Sequence, residues 1–115
     1  MIKKIAFISA PISKFNNSDR MRQYCKNVFM RTQLELEAQG YSVFNPITLA
    51  DVFGWDKSHS FYMSICFIAL RECDIVFFLE GWNESEGCKL EMGLAEATNK
   101  DIRYLYYNED VSQTC

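Results

Sequence analysis

Ser85, Gly87 and Glu91 are the residues of this chain whose types and spacing are best suited to chemistry. Segment 85–98 (SEGCKLEMGLAEAT) reads as a helix with a polar stripe of Glu86, Lys89, Glu96 and Lys100. At about 100° per residue, Glu91 falls on the opposite side with Gly87, Leu94, Ala95 and Thr98. Gly87 stands one turn earlier, so nothing bulky covers the approach to Glu91 from that end. A carboxylate on a core-facing stripe is seldom fully buried unless paired, and desolvation raises both its pKa and its reactivity. Glu91 is therefore either a satisfied core ion or the working group of an active site. The start of the same helix presents free N–H groups and a positive dipole end, which suit phosphate or another anion. Ser85 can supply such a contact, or it can simply cap the helix.

These residues need a frame that holds them. Residues 5–8 (IAFI) and 75–79 (IVFFL) are short apolar runs without alternation, as in parallel strands buried on both faces. Residues 41–44 (YSVF) and 102–107 (IRYLYY) are weaker strands of the same kind. Between them lie helical patterns. Ser18 or Asp19 can cap a long helix in which Met21, Tyr24, Cys25, Val28, Phe29 and Leu36 recur at threes and fours, and Gly40 closes it. Ser58 or Ser60 can cap a second helix over 61–71, with Tyr62, Ile65, Cys66 and Ala69 on one side. Asn83 or Ser85 caps the third, which carries Glu91. The order β-α-β-α-β-α-β predicts right-handed crossovers and a doubly wound, flavodoxin-like three-layer α/β sandwich with a short parallel sheet of about four strands.

In such sheets ligands bind beyond the carboxyl ends of the strands. That edge gathers Ser9, Ala10, Pro11, Ile12 and Ser13 after the first strand. It also gathers Asn45, Pro46 and a long loop to Ser60 after the second, and Glu80 to Asn83 after the third. Asp74 lies at the opposite edge, where a structural hydrogen bond is its expected role. His59, the single histidine, lies in the loop on the ligand side, where a capping or surface role competes with a catalytic one.

Composition narrows the function classes. The 115 residues suffice for one domain, here 1–107 with a polar tail at 108–115. A net charge of −3 without a basic face argues against polymeric nucleic acid as a partner. The aromatic share of 15% is compatible with a dense core and with a pocket for a planar ligand. Five cysteines without a CxxC spacing form neither a disulfide framework nor a zinc site, so no metal is expected. No apolar run approaches the roughly 20 residues that span a bilayer, and strand-like residues begin at Ile2, which together lead us to expect a cytoplasmic protein with no membrane partner. Also absent are GxGxxG, a Walker loop, the phosphate loop of a flavodoxin and the acidic pair of a response regulator.

The pattern Ile8-Ser9-Ala10-Pro11, Gly40-Tyr41-Ser42-Val43-Phe44-Asn45-Pro46, Glu72-Cys73-Asp74 and Gly81-Trp82-x-x-Ser85-x-Gly87-x-x-x-Glu91 with Ala95 resembles the DUF4406 family. That family belongs to the nucleoside 2-deoxyribosyltransferase-like superfamily, whose characterised members cleave or transfer the N-glycosidic bond of 2′-deoxynucleosides or their monophosphates. The resemblance implies that Glu91 is the nucleophile, with no cofactor. It implies a small nucleotide or nucleoside as ligand, bound by Ser9, Ala10, Pro11, Ser13, Asn45, Trp82, Ser85 and Gly87, with Trp55 or Tyr62 as further flanks for the base. Relatives that act on free nucleosides tend to carry aspartate six residues before the glutamate. Deoxynucleotide hydrolases carry serine there, as Ser85 here, which tilts the expected substrate toward a nucleotide. Oligomers of the superfamily often complete a site with a neighbour's residues, so a homodimer or larger homo-oligomer is expected.

Two positions depart from the family pattern. Ala10 stands where glycine is usual, and Cys66 stands where many members carry an acid. Glu80, Glu84, Asp56 and His59 are the groups that could replace that acid. The Cys66 departure also keeps a second reading open, a nucleotide-binding or sensing domain that retains the pocket without the chemistry.

Overall fold

A computed structural model describes residues 3–11, 19–54 and 56–105, leaving aside the side chains of Met21 and His59. Ser13, Ser18, Trp55 and the tail 108–115 lie outside the described residues. The elements run β1 (Ile5–Ser9), α1 (Asp19–Ala38), β2 (Ser42–Phe44), α2 (Ile47–Phe53), α3 (His59–Glu72), β3 (Ile75–Leu79), α4 (Glu86–Ala97) and β4 (Asp101–Leu105), with a 3-10 turn, Trp82–Glu84, before α4. The four strands are parallel in the order β2-β1-β3-β4.

The absence of alternation in β1 and β3 follows from their surroundings. Ala6, Ile8, Ile75, Phe77 and Leu79 pack with Cys25, Phe29 and Leu36 of α1 on one face of the sheet. Phe7, Val76 and Phe78 pack with Cys66 and Leu70 of α3 and Ala95 of α4 on the other. Successive strand residues point to opposite faces, so a strand with an apolar layer on each side must be apolar throughout. The result is the expected three-layer α/β sandwich.

Local signals account for the ends of the helices. Gly40 follows α1 with φ of 99°, and Tyr41 N–H bonds back to the Leu36 carbonyl at 3.1 Å. That left-handed backbone is one glycine adopts with little cost. The Ser58 hydroxyl accepts from Phe61 N–H at 3.2 Å and caps α3. Asp74 has the structural role expected of it: its carboxylate accepts from Ile5 N–H at 2.8 Å, tying β3 to the start of β1.

Two expectations are corrected. The segment between Asn45 and Ser60 is not one long loop, because α2 occupies Ile47–Phe53. The helix carrying Glu91 ends at Ala97, and Thr98, expected on the buried stripe, is its exposed C-cap. Thr98 turns its hydroxyl back onto the Leu94 carbonyl at 2.7 Å, an oxygen that also accepts from the Thr98 N–H at 3.0 Å.

Candidate active site

The strand order puts the crevice between β1 and β3. From β1 the chain steps outward to β2, then crosses back to β3, so the connections leave the sheet in opposite directions at this pair. Such a switch point opens a cleft beyond the carboxyl ends of the strands. Ser9 is the last residue of β1, and α4 begins a few residues after β3. By strand alternation Ser9 shares the face of Phe7, the side on which α4 packs. The helix turns Glu91 toward that same face.

The two side chains meet. Ser9 Oγ donates to Glu91 Oε1 at 2.6 Å, with Ser9 1% and Glu91 6% exposed. No ion pair to Glu91 occurs among the described residues. Burial pushes its carboxyl up from an ordinary 4.5 to about 7, and the Ser9 hydrogen bond pulls the other way. Near neutral pH the group is thus divided between acid and carboxylate. A desolvated carboxylate with one anchoring donor can attack an electrophilic carbon or exchange a proton.

Cys66 of α3 borders this pair. Burial raises its thiol well above the ordinary value, and the charges of Glu91 and Cys88 raise it further. A thiol held protonated in this way is neither a ready nucleophile nor a good acid. The candidates for the missing acid do not enter the core: Asp56, Glu80 and Glu84 are exposed.

At the start of α4, the Ser85 hydroxyl accepts from Cys88 N–H at 3.3 Å. This satisfies one free donor of the helix and leaves the hydroxyl proton available. Gly87 is buried in the first turn, one turn before Glu91. The structure thus brings Ser9, Ser85, Gly87 and Glu91 to one edge of the sheet.

The other expected contacts are otherwise engaged. Ala10 packs against the α1 layer, on the opposite face from Ser9, and Pro11 is buried. Asn45 is buried with its amide committed: Oδ1 accepts from Ile47 N–H at 3.1 Å, and Nδ2 donates to Gln33 at 3.0 Å. Its role is to start α2 and tie it to α1. Trp82 rests on Phe78 and Tyr104, with ring centroids 5.2 and 6.0 Å apart, on the β4 side of β3. Tyr62 donates its hydroxyl to the Gly54 carbonyl and so ties α3 to the end of α2. Among the described residues no group of three or more His, Cys, Asp or Glu could hold a metal ion. No helix there is long and apolar enough to cross a membrane.

Fold and site define a class: a doubly wound α/β domain with a buried carboxylate at its switch point. Residues 7–104 match the profile of DUF4406, a domain of unknown function, and the chain belongs to that family. Among solved structures it is similar to the CMP N-glycosidase BcmB of Clostridium botulinum. The two are 22% identical with a TM-score of 0.58, over 94% of this chain and 73% of that one. At that identity the likeness speaks to the fold. No curated protein matches the chain.

Proposed function

We propose that the chain is an N-glycosidase or 2-deoxyribosyltransferase that acts on a nucleotide or nucleoside through Glu91. The observation that carries this reading is the Glu91 carboxyl itself, buried at the switch point and held by Ser9 without a counter-ion among the described residues. The similarly folded neighbour, a CMP N-glycosidase, supports a nucleotide as the substrate class.

The reaction proceeds in two balanced steps. A carboxylate oxygen of Glu91 bonds to the anomeric carbon as the C–N bond breaks. The bonding pair leaves with the base, which takes up a proton from solvent, and the water or second base that attacks next releases one back to it. Water then displaces the glycosyl ester in a hydrolase, or a second base does so in a transferase, and the carboxylate is restored. Ser85 and the N-terminal turn of α4 receive the 5′-oxygen or phosphate, and Gly87 leaves room for the sugar. A homo-oligomer is part of this reading.

The test is to incubate the protein with ribo- and deoxyribonucleosides and their monophosphates and to measure free base. Release is expected with at least one substrate, and Glu91→Gln should reduce it by about 1,000-fold or more, as loss of a covalent nucleophile does. Release unchanged in Glu91→Gln would refute the mechanism. A second reading, a nucleotide-binding domain without turnover, is favoured by Cys66, which offers no acid to the leaving base. Saturable binding without base release is its signature.

A further inference from the structure

We propose that Ser9 is the positioning residue for Glu91, fixing Oε1 so that Oε2 is the oxygen presented to the sugar. The proposal rests on the reading of Glu91 as nucleophile, but its geometry stands independently. Ser9 ends a strand whose preceding residues, Ala6, Phe7 and Ile8, are fully buried. Its hydroxyl has no freedom to swing into solvent. Strand alternation aims it at the α4 layer, and its one proton goes to Oε1 at 2.6 Å. A donor on one carboxylate oxygen ties up a lone pair there and limits rotation of the side chain.

The other oxygen differs. No described residue donates to Oε2. Among the described residues no fully buried side-chain oxygen or nitrogen lacks a hydrogen-bond partner, so Oε2 is the atom that reaches accessible surface. Since Glu91 is only 6% exposed, that opening is narrow. An anchored oxygen and an open one on the same carboxylate are what directed attack on an anomeric carbon requires, because near-attack geometry tolerates little misplacement. Ser9, which the family resemblance places among the ligand contacts, has already committed its proton to the chain's own glutamate.

The experiment uses protein labelled with carbon-13 at the glutamate side-chain carboxyl, with the Glu91 signal assigned by its loss in Glu91→Gln. Ser9→Ala and Ser9→Cys should each raise the Glu91 titration midpoint by about one to two pH units, the size expected for losing a hydrogen bond to a charged acceptor. Ser9→Thr, which keeps the donor, should restore it. In the same series kcat for base release at pH 7 should fall roughly 10-fold or more in the first two variants, with KM little changed and recovery in Ser9→Thr. Ser9→Cys keeps the space filled and leaves only a weak S–H donor, so the test stands even where Ser9→Ala does not fold. A midpoint unmoved in Ser9→Ala and Ser9→Cys overturns the proposal. A midpoint that moves in a protein releasing no base supports the positioning role and overturns the glycosidase reading.

Discussion

Cys66 sets the chemical character of the site as much as Glu91 does. Where the family resemblance implies an acid, this chain places a buried thiol that stays neutral. Glu91 therefore titrates without a second carboxylate beside it among the described residues, and its displacement to about 7 is dominated by burial. The proposed nucleophile must be ionised to attack, so base release is expected to rise with pH through about 7 and level off above it. Installing the family's acid by Cys66→Asp should move that rise to higher pH, because two carboxylates in one buried site hinder each other's ionisation. The same change should cost roughly 1–3 kcal/mol of stability for a charge placed in an apolar layer. A pH–rate profile and a urea titration measure both. A rise that moves to lower pH would show that residue 66 acts on Glu91 in some other way.

At the scale of elements, the proposed phosphate contact Ser85 is also the N-cap of α4. The hydroxyl caps Cys88 N–H, so Ser85→Ala should cost about 1 kcal/mol of stability whatever the ligand. Ser85→Asp separates the two roles. Aspartate caps as well as serine and favours the helix dipole, so stability should hold. A second negative charge would repel a 5′-phosphate, however, and kcat/KM should shift from monophosphates toward nucleosides by about 10-fold or more, worth roughly 1.4 kcal/mol. Equal losses on both substrates would place the phosphate elsewhere. The caps also explain what could be read in advance. Ser58, Ser85 and Gly40 mark helix ends by local chemistry, and the unbroken apolar runs of β1 and β3 mark buried parallel strands. The helix α2 escaped because its seven residues are too few to show a period, and Asn45-Pro46 reads equally as a turn. The bond between Ser9 and Glu91 joins residues 82 apart, so no local pattern contains it. Only the face shared by Ser9 and Phe7, combined with the helical face of Glu91, hints at the encounter.

For the whole molecule, the burial of Glu91 works against the fold. Its carboxyl holds a proton more tightly in the folded chain, about 7 against an ordinary 4.5. Below pH 4.5 both states are protonated and there is no penalty. Between those values the unfolded chain sheds its proton first, and stability falls as pH rises. Above about 7 the full cost is present, at most roughly 3 kcal/mol. That is a sizeable share of the roughly 5–15 kcal/mol that holds an ordinary domain together. Glutamine in place of Glu91 can still accept from Ser9, and its amide takes the position of the oxygen that reaches the surface. Glu91→Gln should thus raise stability by about 1–3 kcal/mol at pH 8, with the gain shrinking toward zero at pH 5. Urea unfolding of both proteins at the two pH values measures the difference, and the pH 8 gain should raise Tm by several degrees. An equal difference at both pH values would mean that Glu91 is not strained by its burial. A gain confined to high pH, together with loss of base release in the same variant, would mark the carboxylate as one kept for function at the expense of stability.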